Sequence, residues 1–565
     1  MGTPTQAPAL AVVPASSACA DLARVSLADI GGAGSRVRAA TQDSSGGVER
    51  CTVEGTLAPA IGFRLVLPTR TWTQRFLQVG CGGLCGNIPR NAGAADGCLP
   101  LDDGGFAVAG TDMGHAGMAS DFGRDPRQRV DFAYRGVHLT ALAAKRLIEA
   151  FYGRKPAFSY FDGCSDGGRE ALIEAQRFPQ DFNGIVAGAP ALNFQVQNAL
   201  YHAWQARSNR DAQGQAILVA ARLPILHRAV LAQCDALDGL VDGLVSDPRA
   251  CHFDPATVQC PDAGDAKDGA CPSAAEVAAA RRLYDGPRDP ATGQRLIVAG
   301  PQPGSELAWA GVFVPRAADE PVMSDMIALG VLRDLAFETK PPADFKLADL
   351  HFDARTFDLL RARHALFDAT DPDLGAFAAA HGKLILWHGW ADPHISPMNT
   401  VAYQEAARTL MGDDRLSSFE RLYLLPGVWH CGGGEGPSSV DLLTPMMAWV
   451  EQGVAPQAIV ARQPDPARRP NGFGQPNGGR PLAGGPVGGP GGARRGPPPF
   501  EMTRAAPDPR TLVRVIYPYP YVAAYDGHGD PNAPASYVAR LATTPNESLD
   551  WAGADFYKPY PARQQ

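Results

Sequence analysis

Short apolar blocks alternate with stretches of helical spacing through the first third of the chain. Blocks at 75–79, 106–110, 158–161 and 185–187 predict buried strands. Between them, apolar residues recur every three or four positions over 136–152 and 167–178 and predict helices. The rhythm returns late, with strands at 384–387 and 422–425 and helices near 400–411 and 438–452. Strands alternating with helices predict a mostly parallel sheet of the α/β class. From 193 to 370 the strand rhythm is lost, which reads as an inserted domain. Placed in a loop above the sheet, such an insertion would act as a lid. The expected division is therefore a core of 1–192 and 371–565 and a lid of 193–370. Residues 462–499 are dominated by Gly, Pro and Arg and cannot bury a core, so a disordered surface loop is expected there. Residues 513–519 read as a strand that packs back on the body.

One of these strand-to-helix junctions carries chemistry. Gly163-Cys164-Ser165-Asp166-Gly167 has the Gly-x-Ser-x-Gly form of a nucleophile elbow, in the context that gives it meaning. A serine nucleophile needs a base, and the base needs an orienting acid. In α/β-hydrolases the chain order is Ser, then Asp or Glu, then His, each in a loop after a strand. Asp392 follows the strand at 384–387, and His430 follows the strand at 422–425. His388 and His394 are local rivals for the base, and Asp392 alone could be a turn residue before Pro393. The three residues in order, each behind a strand, outweigh those alternatives. The expected fold is an α/β-hydrolase core with a large inserted lid domain.

Composition narrows the setting. The 565 residues are 45% apolar and 19% charged, which suits a globular protein with a substantial core. A net charge of −8 offers no basic footprint for nucleic acid or an anionic membrane. No apolar run reaches transmembrane length. Met1 to Ala20 lacks a basic segment followed by an apolar one and reads as the start of a mature or trimmed chain. Eleven cysteines without paired C-x-x-C spacing favour disulfides, and hence a secreted or periplasmic protein, over zinc or free thiols. Cys19 and Cys51 stand alone in the first 80 residues, Cys234 and Cys251 bracket an Asp-rich loop, and Cys260 and Cys271 bracket a polar one. Cys164 precedes Ser165 and Cys431 follows His430, so a Ser–His hydrogen bond would bring these two cysteines within disulfide reach. The odd count leaves an unpaired thiol, expected among Cys81, Cys85 and Cys98.

With Cys164-Ser165, Asp392 and His430-Cys431 in view, the chain resembles the tannase and feruloyl esterase family of α/β-hydrolases. Further matching stretches are Gly110-Thr111-Asp112-Met113-Gly114-His115, Ala187-Gly188-Ala189-Pro190 and Tyr517-Pro518-Tyr519-Pro520. The chain departs from the family at the Gly/Pro-rich loop and at Cys81-Gly82-Gly83-Leu84-Cys85, where the family has a plainer glycine run. That run follows the strand ending at Val79, where an α/β-hydrolase places part of its oxyanion hole, so the amides of Asp166 and Gly83 are the expected donors. The resemblance implies a carboxylic-ester hydrolase acting on small esters of galloyl, feruloyl or terephthaloyl type. Trp309, Phe313, Arg333 and Phe337 are candidates to line its pocket or, equally, to be core.

The loop from Cys234 to Leu244 holds three carboxylates in eight residues. Its chemistry suits either a hard cation or a solvated acidic turn, and it lacks the EF-hand spacing. The resemblance implies structural Ca²⁺ held by Asp235, Asp238 and Asp242 with the carbonyls of Leu240 and Leu244. Two rivals keep the fold: an acyl hydrolase or peptidase using the same triad, and a calcium-stabilised binding protein without activity. Oligomeric state is not legible.

Overall fold

The computed structural model describes residues 7–44, 48–262, 270–464, 511–542 and 550–561. Its centre is a nine-stranded sheet: β1 (Arg36–Asp43), β2 (Arg50–Leu57), β3 (Ile61–Pro68), β4 (Arg75–Val79), β5 (Phe106–Thr111), β6 (Phe158–Cys164), β7 (Gly184–Gly188), β8 (Lys383–Gly389) and β9 (Glu420–Leu425). The spatial order is β1-β2-β3-β5-β4-β6-β7-β8-β9. The six strands from β5 to β9 run parallel, and β1, β2 and β3 extend one edge antiparallel. Every residue of β4 and β7 is buried, as expected of parallel strands covered on both faces. β1 is the opposite case, an edge strand in which only Val37 is buried.

The covering helices are α1 (Gly136–Tyr152), α2 (Asp166–Arg177), α3 (Leu223–Cys234), α4 (Ala274–Asp285), α5 (Met323–Val331), α6 (Ala354–Phe367), α7 (Met398–Met411) and α8 (Leu443–Gln452). Val137, Leu147 and Phe151 of α1, Leu172 of α2 and Val401 of α7 join a large core with Phe63, Phe76, Phe161 and Leu386 of the sheet. Met446, Met447 and Trp449 of α8 pack with Leu77, Tyr160, Ile385 and Tyr423 in a second core.

Between β7 and β8 no strand occurs among the described residues. Part of this segment has its own core, built from Leu218, Leu226, Leu283, Trp309, Val312 and Phe313. Val230, Cys234, Val245 and Cys251 form a further small cluster, whereas Phe194, Leu335, Phe357 and Phe367 are packed into the main core. Trp309 and Phe313 are therefore structural, and Arg333 is held by the Phe345 carbonyl at 2.6 Å.

Three expectations need correcting. The helix expected over 438–452 begins only at Leu443, because Ser439 and Asp441 form extended bridges to Arg462 and Ala95. Arg462, expected to open a loop, instead ends β10 (Ile459–Arg462) and pairs with Val513 of β11 (Val513–Ile516), while the rest of the expected loop, 465–499, lies outside the described residues. The strand expected over 513–519 ends at Ile516, ahead of Pro518. A ribbon of β12 (Tyr521–Tyr525) and β13 (Tyr537–Leu541) follows.

Candidate active site

The carboxyl ends of β6, β8 and β9 converge on one edge of the sheet. At the first, β6 turns directly into α2 through Ser165, whose φ of 66° and ψ of −122° are strained for a residue with a Cβ. The glycines around it are required by contact. A Cβ on Gly163 would lie 2.4 Å from the Gly167 carbonyl oxygen, and one on Gly168 would lie 2.4 Å from that of Gly188. The Ser165 amide donates to the Gly188 carbonyl at 3.0 Å, and the Ser165 carbonyl accepts from Ala191 at 2.9 Å.

The loops after β8 and β9 are tied together. The Trp390 amide donates to the Leu425 carbonyl at 2.9 Å, and that of Ala391 to Val428 at 3.0 Å. This sets Asp392 against His430. The two ring nitrogens of His430 then have separate partners: Nδ1 lies 2.6 Å from Asp392 Oδ2 and Nε2 lies 2.8 Å from Ser165 Oγ. The arrangement assigns the Nδ1–H tautomer, with Nε2 left to accept the serine proton.

Asp392 is fully buried and accepts four hydrogen bonds. Oδ2 accepts from His430 and, at 3.1 Å, from His388 Nε2, while Oδ1 accepts the amides of His394 and Ile395 at 2.8 and 2.9 Å. Burial alone would raise this carboxyl, but the His430 charge and the hydrogen bonds from His388 and His430 outweigh it and hold Asp392 well below the usual carboxylate range. His388 is a support rather than a rival base: Thr400 Oγ1 donates to its Nδ1 at 2.8 Å, so its Nε2 proton is shared between Asp392 Oδ2 at 3.1 Å and the Ile395 carbonyl at 3.0 Å. The loop is braced from the insertion by Tyr201, whose hydroxyl donates to the Pro393 carbonyl at 2.9 Å, and by Gln197, which donates to the His394 carbonyl.

The disulfide between Cys164 and Cys431, 2.01 Å long, joins the residue before the nucleophile to the residue after the base. Four further bonds are Cys19–Cys51, Cys81–Cys85, Cys234–Cys251 and Cys260–Cys271. Cys98 is free and buried, and burial pushes its thiol up to about 12.

Asp166 turns its carboxylate into a bidentate pair with the buried Arg169, at 2.6 and 3.0 Å. Arg169 also donates to the carbonyls of Ala133 at 2.9 Å and Phe367 at 3.3 Å, so it ties the elbow to the insertion. The Asp166 amide, at the first turn of α2, has no acceptor among the described residues. The amide of Gly83 is likewise unpaired there, in an exposed turn of φ 68° beside Met118. Glu170, one residue after Arg169, accepts the Cys81 amide at 3.2 Å and so holds the start of the glycine run against α2. No spacing rule pointed to His388, Arg169, Glu170 or Tyr201, whose roles come from partners distant in the chain.

The acidic loop gathers Asp235, Asp238 and Asp242 behind the Cys234–Cys251 bond. Burial raises the carboxyls of Asp238 and Asp242, while Arg514 is the cation paired with Asp242. The carbonyls of Leu240 and Leu244 accept no backbone hydrogen bond among the described residues. The carboxylates are already engaged within the loop, Asp235 by the amides of Asp242 and Gly243, Asp238 by the Leu240 amide and the Ser246 hydroxyl, and Asp242 by the Leu244 amide and Arg514, so a hard divalent cation would have to share or displace these bonds.

Comparison with known proteins agrees with the geometry. The family described as tannase and feruloyl esterase matches residues 45–539. An uncharacterised esterase of Xanthomonas campestris pv. campestris is 34% identical over 528 residues, covering 81% of this chain and 87% of that protein. Mono(2-hydroxyethyl) terephthalate hydrolase of Piscinibacter sakaiensis is 32% identical over 561 residues, covering 88% of this chain and 86% of that protein. The crystal structure of feruloyl esterase B from Aspergillus oryzae shares the fold, with a TM-score of 0.74 at 24% identity over 93% of this chain and all of that one. The chain belongs to the tannase and feruloyl esterase family and is a carboxylic ester hydrolase.

Proposed function

We propose that this chain is an exported serine esterase that cleaves small esters of aromatic acids through an acyl-enzyme. The observation that carries the reading is the His430 ring spanning Ser165 and Asp392 at 2.8 and 2.6 Å. Ser165 Oγ attacks the ester carbonyl carbon as His430 Nε2 takes the hydroxyl proton. The bond to the alcohol oxygen then breaks, and Nε2 passes the proton to that oxygen. Water, deprotonated by the same nitrogen, attacks the acyl-serine ester and releases the acid. Asp392 stays ionised throughout and stabilises the imidazolium. The unpaired amides of Asp166 and Gly83 are the donors offered to the oxyanion.

Residues 193–370 serve as the lid, since the segment braces the Asp392 loop through Gln197 and Tyr201. An aromatic acyl group of galloyl, feruloyl or terephthaloyl type is supported by the family description and by the relative that hydrolyses mono(2-hydroxyethyl) terephthalate. Export is supported by the five disulfides, which persist in oxidising compartments. Asp235, Asp238 and Asp242, with the Leu240 and Leu244 carbonyls, would hold a structural Ca²⁺. Its contribution is to neutralise and rigidify the loop, and it takes no part in the chemistry.

The test is steady-state hydrolysis of methyl gallate, methyl ferulate and mono(2-hydroxyethyl) terephthalate by the wild type and by Ser165→Ala. Turnover of at least one ester, abolished in the variant, is expected. An inert wild type, with calcium present and disulfides intact, would overturn the aromatic-ester reading.

A further inference from the structure

Beside the triad lies a polar side chain that the mechanism above does not use. His394 is two residues after Asp392, and its ring centroid is 5.0 Å from that of His430. Its backbone is fully engaged: the amide donates to Asp392 and the carbonyl accepts from Gln197. Its ring is not. Neither ring nitrogen has a hydrogen-bond partner among the described residues, and neither is an unpaired atom sealed from solvent. The residue keeps 8% of its surface exposed, the same fraction as His430, and Ser165 beside it is also partly open.

The neighbouring polar groups are largely committed elsewhere. On its far side is the His202 ring, with centroids 6.0 Å apart, and His202 Nδ1 is already engaged by Ser324 Oγ at 2.8 Å. On its near side, both His430 nitrogens are committed to Ser165 and Asp392. The Asp392 oxygens are taken by the four donors named above. An imidazole that is largely buried and unpaired loses its hydration without compensation, which costs free energy unless something else completes it. The unpaired ring therefore lies 5.0 Å, centroid to centroid, from the His430 ring that is hydrogen-bonded to Ser165, next to the point where the ester must react.

We propose that His394 is a specificity-determining residue that hydrogen-bonds a hydroxyl group carried by the substrate, so that hydroxylated esters are preferred over hydroxyl-free analogues of the same shape. The inference rests on the serine-esterase reading and adds to it the polar group that the site recognises. Burial holds the His394 ring neutral, with its protonation pushed down to about 3. A neutral imidazole presents one donor and one acceptor, which matches a hydroxyl on both counts. A free carboxylate would instead call for a cation. The hydroxyl can belong to the acyl ring, as in a phenolic acid, or to the alcohol. The alcohol side is within reach because His430 must deliver its proton to the leaving oxygen.

The experiment compares kcat/KM for paired esters in the wild type, His394→Phe and His394→Gln. One pair varies the acyl ring (methyl 4-hydroxybenzoate against methyl benzoate), and the other varies the alcohol (2-hydroxyethyl benzoate against propyl benzoate). The readout is the ratio within each pair, which does not depend on the fraction of enzyme folded. In His394→Phe, which keeps an aromatic ring and loses both nitrogens, one ratio is expected to fall about 2- to 12-fold, the loss of one hydrogen bond between neutral groups. The pair affected identifies which side carries the hydroxyl. His394→Gln, which restores a donor and an acceptor, should recover part of the ratio. Ratios unchanged in both pairs would overturn the proposal, even if absolute rates fall, because that pattern means the ring only packs. A wild type that hydrolyses none of the four esters would instead count against the esterase reading itself.

Discussion

Removing the disulfide that joins nucleophile to base should weaken both the fold and the chemical step. Cys164 and Cys431 close a loop with a sequence separation of 267. The chain-entropy model assigns such a crosslink ~5–6 kcal/mol, against ~4 kcal/mol for a separation of 32 such as that of Cys19–Cys51. Both are large beside a typical total stability of about 5–15 kcal/mol. The two bonds differ in what they hold. Ser165 and Cys431 both have positive φ, at 66° and 57°, and the Cys164–Cys431 bond helps to keep these strained residues in place. Without it the 2.8 Å contact between His430 and Ser165 loosens, and misplacement by an ångström can cost about 100-fold in rate. The assay is urea denaturation together with kcat on one ester, for Cys164→Ala/Cys431→Ala and Cys19→Ala/Cys51→Ala. Both variants should denature at lower urea. Only the first should lose kcat, by about 10- to 100-fold, under conditions where both are folded. A first variant that keeps kcat within about twofold would refute the pinning argument. Unchanged midpoints in both would refute the loop-entropy argument.

Asp392→Asn keeps one acceptor oxygen but cannot stabilise an imidazolium. Its kcat is expected to fall on the order of 10³-fold or more, measured against the same ester. Chelation of calcium should lower the melting temperature of the wild type, with recovery on adding Ca²⁺, and should have little effect on Asp238→Asn; equal responses in the two would contradict the proposed site. Glu420 is fully buried, and burial raises its carboxyl to about 8, with Gln404 donating to it at 2.7 Å. The folded chain therefore keeps a proton that the unfolded chain releases above about 4.3, so stability should decline as pH rises from about 4.5 to 8, by at most ~1.4 kcal/mol per pH unit. Glu420→Gln should flatten that slope in melting curves taken between pH 5 and 8.

The parts of the site that could be read from the sequence are those set by local chain geometry. The elbow announces itself because a strand-to-helix turn through Ser165 admits only glycine at Gly163 and Gly167. Asp392 and His430 follow from the position of a loop after an apolar strand. The antiparallel edge was not anticipated. β1 has almost no apolar periodicity, since its outer face is solvated and its backbone pairing supplies the structure. β3 did carry a signal, with Ile61, Phe63, Leu65 and Leu67 alternating into the core. Helix ends failed where extended pairing competes, as at Ser439 with Arg462. The roles of His388 and His394, which the sequence offers only as rival bases, and of Arg169 are not legible in it for another reason. Each is defined by partners brought in from other strands or from the insertion, and no spacing along the chain encodes that meeting.

The account stands on Ser165 as the nucleophile, and covalent labelling tests this most directly. The chain is treated with a small fluorophosphonate and mapped by peptide mass spectrometry, alongside His430→Ala. A single adduct on the peptide containing Ser165, formed far more slowly in the His430 variant, is the predicted result. An adduct on a different residue, or ester hydrolysis by a chain whose Ser165 stays unlabelled, would contradict it.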